Sequence, residues 1–368
     1  MPIYPYDKGG KEHWYYAFEV KDHNGKRKTI KKRGFKGKTE ARNAEAAART
    51  EWNKGTYIDP STLLYKDYVT DWLKNKQDIS DKTRITNEGH IKNHINPILG
   101  EIPLQKINIM HIEKFIQSMQ EKGLSQGTVK KIFNFVQTSF NSAYRKEIIA
   151  KNPFALLDKS SKPRPGRARV DYWTKEEIKI FLESVDHRNK IIFILAIYTG
   201  MRQGEILGLR WRDVDFENAQ IRIRQTLDYK GEIQEKVKTD AGYRSISASE
   251  SLLAELKKHR TLIEKEKLAA EEYFDHDLVV CRKNGRPTCV TNFHRFWKRR
   301  TKKVNVRQIR FHDLRHTCAS LLLSSNIHPK IVQEMLGHSS IKVTMDTYSH
   351  LMPNMQKDAV AALDELLK

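Results

Sequence analysis

Four polar residues between Phe311 and Tyr348 have types and spacing that invite chemistry: His312, Arg315, His338 and Tyr348. The run FHDLRHTCASLLL sets His312 and Arg315 three residues apart, which on a helix puts them on one face, with Leu314, Leu321 and Leu322 turned toward a core. Ile331, Val332, Met335 and Leu336 predict a second helix, and Gly337 sits where a left-handed residue ends one, so His338 is presented on a tight turn. Ser339 or Ser340 caps a third helix, in which Ile341, Met345 and Tyr348 recur at four- and three-residue steps. Each residue alone has an ordinary reading: a tyrosine at helical spacing is a core residue, and a histidine after a glycine turn is a polar turn residue. His312 and His316 stand four apart, but no Glu follows the first as in HExxH and no cysteine pair completes a site, so no metal is expected.

Two further segments carry candidates. Arg202, in TGMRQGEILGL, lies between strongly apolar stretches, where an unpaired charge is costly. That run lacks the Lys-Ser/Thr of a phosphate loop, which argues against nucleotide binding. VKTDAGYRSI places Lys238 beside a turn, Thr239 to Gly242, a position where lysines are commonly solvated.

The combination H-x-x-R, LGH and Tyr resembles the C-terminal active-site pattern of the tyrosine recombinase (phage integrase) family. Carried over residue by residue, the resemblance implies that His312, Arg315 and His338 are active-site groups and Tyr348 the nucleophile. TGMRQGEILGL is similar to the family's first arginine motif, which implies Arg202 at a phosphate with Glu205 as its acidic support. VKTDAGYRSI resembles the hairpin lysine motif and implies Lys238. The implied chemistry is coherent. Attack on a phosphodiester builds negative charge on non-bridging oxygens, and the guanidinium forks of Arg202 and Arg315 suit that geometry. A tyrosine, with a pKa of about 10, needs a base, for which His312 is the candidate. Lys238 would protonate the leaving 5′ oxygen and His338 would donate to the phosphate. A 3′-phosphotyrosyl linkage conserves the bond energy, so neither ATP nor a metal nor any other cofactor is required.

The rest of the chain must position these groups. Its 368 residues suffice for two or three domains, and 67 Lys plus Arg against 45 Asp plus Glu give a formal net charge of +22. That excess predicts a polyanionic partner, nucleic acid before membrane surface. The longest apolar run, IIFILAIY from Ile191, is far short of the ~20 residues of a membrane span. The N-terminus has no apolar core or cleavage signature, and Cys281, Cys289 and Cys318 form no CxxC pair; both features predict a cytoplasmic protein with reduced thiols.

Residues 1–56 read as a small β-sheet-plus-helix module: strands at 14–20 and 28–35 around the turn signal Asn24-Gly25, then an alanine-rich helix capped by Thr39. From Lys21 to Lys38 there are nine basic residues and one acid, Asp22, and Lys26, Arg27, Lys28, Lys31, Lys32 and Arg33 are its candidate DNA contacts. The module resembles the arm-binding domain of phage and conjugative-transposon integrases. Residues 63–158 have helical periodicity: Tyr68, Trp72 and Leu73; Thr83, Ile91 and Ile95, ended by Pro97 and Gly100; Ile112 to Met119; and Val129 to Phe140. Lys130 and Lys131 fall between the last apolar positions, facing phosphates. This segment resembles the family's core-binding domain, which clamps one side of the DNA. Residues 158–170 form a basic linker with Arg164, Arg167 and Arg169 as backbone contacts. The α+β catalytic domain, 170–368, should contain strands at 221–225, 233–238 and 243–247, the last two closing a hairpin around the lysine. A helix over 292–310 with eight basic residues and no acid offers Arg295, Lys298, Arg299 and Arg300 to DNA, with Phe293, Phe296 and Trp297 interleaved.

The fold expected is therefore multidomain and mainly α with small β elements. The function expected is a site-specific DNA recombinase, the integrase of a phage or mobile element in a bacterial cytoplasm. It would act as a homotetramer on double-stranded DNA carrying core and arm sites, with a DNA-bending host factor and an excisionase as partners and no membrane. A type IB topoisomerase shares the chemistry, but the separate basic N-terminal module favours recombination. A non-enzymatic DNA-binding regulator would not need the polar set. A rolling-circle nuclease would need His-x-His, and none of the fourteen histidines is so spaced.

Overall fold

The computed structural model describes residues 3–21, 25–164, 171–235, 242–349, 360 and 363–367. The chain divides into two compact units, Met1–Arg167 and Ala168–Lys368. The first holds two separate hydrophobic clusters, one for the N-terminal sheet and helix and one for the helices that follow.

Three antiparallel strands open the chain, β1 (Ile3–Asp7), β2 (Glu12–Lys21) and β3 (Arg27–Phe35), in the order β1-β2-β3. β1 was not expected from the sequence: its five residues, IYPYD, include a proline and show little burial, as befits an edge strand. Helix α1 (Lys38–Asn53) covers one face and buries Ala41 and Ala48 against Tyr16, Phe18, Ile30 and Phe35. Its N-cap is Gly37 rather than Thr39, and the Glu40 carboxylate accepts from the backbone N–H of Lys36. Asp22, His23 and Asn24 of the expected turn lie outside the described residues.

The helical module comprises α2 (Tyr65–Lys74), α3 (Asp81–His90), α4 (Ile109–Glu121) and α5 (Gln126–Arg145). Two expectations are corrected here. Pro97 does not end its helix: α3 runs on through Ile91–Gly100 as a wider, π-wound segment with the proline inside. That winding relieves the clash of the ring with the preceding turn. Thr83 is not on the apolar stripe but exposed, its hydroxyl paired with that of Ser80, the helix cap. Ile91, Ile95 and Leu99 supply the buried face instead.

In the second unit, α6 (Lys175–Ser184) starts with the capping box of Thr174 and Glu177. Helix α7 (His187–Thr199) is buried on nearly every side and packs against α9 (Glu250–Ala269) and α11 (Asp313–Ser324). The short α8 (Gln203–Leu207) follows it. Trp173, Phe181, Phe193, Phe293, Trp297 and Phe311 form one aromatic core, with successive rings 4.8–5.6 Å apart. Phe293 and Trp297 of α10 (Val290–Lys303) are therefore interior, and the aromatic interleaving of that basic helix is a core face rather than a DNA-facing one.

The strands also differ from expectation. β4 (Val214–Asp215), β5 (Gln220–Ile223) and β8 (Arg244–Ser247) form one sheet, while β6 (Thr226–Leu227) pairs with β7 (Ile233–Gln234) in another. The described strands on either side of Lys238, β7 and β8, thus belong to different sheets, with β5 and β8 burying Ile221, Ile223 and Ile246 in one core with α7 and α9; residues 236–241, where the expected hairpin turns, lie outside the described residues. Helices α12 (Pro329–Leu336) and α13 (Ile341–Tyr348) follow. Leu323 and Cys318, rather than Leu321 and Leu322, continue the buried stripe of α11 begun by Leu314, and Ile331, Ile341 and Met345 face outward.

Candidate active site

The site is assembled where three helix ends meet. Helix α7 stops at Gly200, whose left-handed φ of 61° ends it and whose Cα lies so close to α12 that an added Cβ would collide with a Leu336 methyl. The freed Gly200 carbonyl accepts from Arg315 Nη1 at 2.8 Å. Arg315 is 3% exposed, and its Nη2 is buried without a partner among the described residues. Burial first, then the charges of Arg202 and Arg244, lowers the Arg315 pKa to about 9, against an opposing pull from Glu205.

Arg202 is the N-cap of α8. Glu205, 2% exposed, accepts from the Arg202 backbone N–H at 2.9 Å and from its Nη1 at 2.8 Å. Arg202 Nη2 donates to the Gly337 carbonyl at 3.1 Å, tying α8 to the turn after α12. Sequence reasoning missed Arg244. It grips the same carboxylate from β8, with Nη2 at 2.8 Å and Nη1 at 3.2 Å, while its Nε donates to the Met335 carbonyl at 2.8 Å. Burial pushes the Glu205 carboxyl up, but Arg244 and then Arg202 outweigh that and hold it below the usual range. One carboxylate thus organises two arginines beside a third, leaving a net positive pocket.

Gly337 takes φ 66° and ends α12, so His338 stands on the turn as expected. Its Nδ1 meets the buried Thr344 hydroxyl at 2.9 Å, and Ser340 caps α13. Burial, followed by Arg315 and Arg202, lowers the His338 pKa to about 4. Tyr348 at the end of α13 is fully buried, which raises its pKa. Its hydroxyl meets His316 Nδ1 at 2.5 Å. His312, the base expected from the motif, instead packs its ring edge-on against His316, centroids 5.4 Å apart. His316 stands one turn beyond His312 on α11, a spacing visible in the sequence and weighed there only for zinc. Among the described residues, no three His, Cys, Asp or Glu side chains cluster as metal ligands.

The structure therefore brings together Arg202, Glu205, Arg315, His312, His338 and Tyr348. Lys238 lies outside the described residues, as do Arg167 and Arg169. The DNA-contact candidates are dispersed. In the N-terminal sheet, strand alternation separates Arg27, Lys31 and Arg33 from Lys28 and Lys32. On the face away from α1, Lys31 and Arg33 lie over the Tyr15 ring at 4.6 and 5.4 Å, whereas Lys28 is bonded to Asp59. Lys26 precedes β3. On α5, Lys130 lies over the Phe133 ring and Lys131 is exposed. Arg164, Arg295, Lys298 and Arg299 are exposed, but Arg300 donates to the Ser184 carbonyl at 3.0 Å and so braces α10 against the α6–α7 turn.

A three-stranded sheet with one helix, a helical module and an α+β unit carrying arginines, histidines and a tyrosine define a class, and the comparisons agree. Residues 172–355 match the phage integrase family, residues 2–51 an arm DNA-binding domain, and residues 64–120 the N-terminal SAM-like domain of phage integrases. The chain is 31% identical to a tyrosine recombinase XerC-like protein of Caldanaerobacter subterraneus subsp. tengcongensis, covering 98% of each chain. It is 29% identical to the ICEBs1 integrase of Bacillus subtilis, covering 89% of this chain and 90% of that one. In fold it is similar to the Tn1549 transposon integrase, solved with circular intermediate DNA, with a TM-score of 0.71 at 21% identity over 82% of this chain and 99% of that one. The lambda integrase dimer bound to a core site gives a TM-score of 0.61 at 18% identity over 95% and 94%. The chain belongs to the phage integrase family of tyrosine recombinases. It is a site-specific DNA recombinase, an enzyme that cleaves and rejoins DNA. Among the described residues no helix is long and apolar enough to cross a membrane.

Proposed function

We propose that Tyr348 attacks the scissile phosphate to form a 3′-phosphotyrosyl intermediate and that Arg202 and Arg315 clamp the non-bridging oxygens. The observation that carries this reading is Arg315 Nη2, a buried guanidinium nitrogen with no partner among the described residues, in a pocket where Glu205 pairs with Arg202 and Arg244 but not with Arg315. Buried charge without a counter-charge is costly, and a phosphate supplies both the missing acceptor and the missing charge. Glu205 and Arg244 hold Arg202 in place. His338 and His312 donate to phosphate oxygens: held mostly neutral beside the arginines, they gain proton affinity when the anion arrives. Lys238 protonates the leaving 5′ oxygen. A 5′ hydroxyl from another strand then attacks the linkage, and two such exchanges recombine the duplexes. No step draws on a cofactor.

In this reading the protein assembles as a homotetramer on paired core sites and binds arm sites through residues 1–56, where the Tyr15, Lys31 and Arg33 surface offers aromatic and cationic contacts. It works in a bacterial cytoplasm to integrate or excise a phage or mobile element, with a DNA-bending host factor and an excisionase setting direction. Sulfur substitution tests the site. Lys238→Ala should slow cleavage of ordinary DNA by about 10²–10⁴-fold, with most of the loss restored on DNA bearing a 5′-bridging sulfur. Arg202→Ala should stay defective on both. Rescue of neither variant, or of both, contradicts the assignment of Lys238.

A further inference from the structure

We infer that His316, rather than His312, is the proton acceptor for Tyr348; this rests on the reading of Tyr348 as nucleophile. The geometry is direct. His316 Nδ1 lies 2.5 Å from the Tyr348 hydroxyl, and the phenol is fully buried, so its proton has a protein nitrogen to go to. His312 contacts the flank of the His316 ring rather than the phenol. Two rigid supports fix the arrangement: His316 is in the first turn of α11, and Tyr348 ends α13, which is anchored by the Ser340 cap and by Thr344 on His338.

For Nδ1 to accept, the imidazole must be neutral with its proton on Nε2. The surroundings favour that state. Around His316 are Asp313, Arg310, Arg315 and His312 from its own segment, Tyr348 from α13, and His338 from the turn after α12. Burial, then Arg310 and Arg315 against the opposing pull of Asp313, keep its pKa below the usual histidine range. In the free enzyme this makes His316 a weak base. When a phosphodiester enters beside Arg202 and Arg315, its charge offsets theirs and the imidazolium becomes affordable. As the phenol oxygen bonds to phosphorus, the phenol proton passes to Nδ1. The bond from phosphorus to the 5′ oxygen breaks, and that oxygen leaves with a proton from the general acid. In rejoining, the 5′ hydroxyl gives its proton back to the acid and Nδ1 returns its own to Tyr348, so protons balance over a cycle. The tyrosine is thus activated only with DNA in place.

The test uses the full-length protein on a nicked suicide substrate, with Tyr348→Phe alongside. His316→Asn, which keeps an acceptor oxygen near Nδ1 but is not basic, should bind DNA as tightly as the wild type. It should form covalent adduct about 10²–10⁴-fold more slowly and lose the acidic limb of the pH–rate profile. His312→Asn should be slower but keep that limb. A His316→Asn enzyme with the wild-type rate and profile overturns the inference, as does loss of the limb in His312→Asn alone. Adduct in Tyr348→Phe would instead overturn the reading of the nucleophile. A measurement on the unmutated protein stands apart from any folding defect: ¹⁵N NMR of labelled histidines near neutral pH should show His316 Nδ1 unprotonated. A protonated Nδ1 overturns the inference.

Discussion

Helices α5 and α11 bury similar numbers of residues for opposite purposes. Helix α5 hides Val129, Ile132, Phe133, Val136, Phe140 and Ala143 along one stripe, and its single buried polar residue, Ser139, is fully used. Ser139 donates to the Val136 carbonyl and meets the Tyr65 hydroxyl at 2.7 Å. Helix α11 buries Asp313, Arg315, Thr317 and Ser320 among its apolar residues and leaves Arg315 Nη2 and Ser320 Oγ without a partner among the described residues. Satisfied polar groups build a fold, and unsatisfied charged ones await a ligand.

The difference can be broken or sharpened by substitution. Phe140→Ala should cost the first unit about 3–5 kcal/mol in chemical denaturation, because α5 exists to pack; a loss below about 1 kcal/mol would remove the contrast. Arg315→Met should do the reverse. Cleavage should fall about 10²–10³-fold, or roughly 2.7–4 kcal/mol, while the melting temperature holds or rises because a buried charge has gone. A large loss of stability with unchanged cleavage would make Arg315 a structural residue.

Acid sensitivity probes the site around α11 next. His338 has a folded pKa of about 4, below the roughly 6.5 of an unfolded histidine, so the unfolded chain takes up a proton first. Stability of the second unit should therefore fall as the pH drops from about 6.5 toward 4, by at most about 1.4 kcal/mol per pH unit from this residue. Solvent at the half-buried ring trims that figure. His338→Gln should flatten the slope, and an unchanged slope in thermal melts across that range would show that burial and the neighbouring arginines do not hold His338 neutral. Smallest is Ser340→Ala, which removes the cap of α13 and should cost about 1 kcal/mol, read as a lower melting temperature; no change would mean that Thr344 and Tyr348 alone hold the helix.

The same contrast explains what was legible in the sequence. Regular apolar periodicity revealed α5, and glycine spacing revealed the ends of α7 and α12, because those signals are local. Arg202 and Glu205 were legible as neighbours in one motif. Arg244 was not: it reaches Glu205 from a strand 39 residues away, and nothing local marks it. His316 was visible only as a histidine one turn from another, since the Tyr348 hydroxyl arrives from 32 residues downstream. The division of β5 to β8 into two sheets was hidden because each strand is two to four residues long and tertiary burial chooses its partner. Pro97 misled for the opposite reason: a strong local breaker was absorbed by π winding inside a packed module.

The most direct measurement of the central claim is to identify the protein atom that holds the DNA. The enzyme is incubated with a nicked suicide substrate, denatured and digested, and the DNA-linked peptide is sequenced by mass spectrometry. The account predicts a single phosphotyrosyl linkage from a DNA 3′ end to Tyr348. A linkage to any other residue, or to a 5′ end, would contradict it.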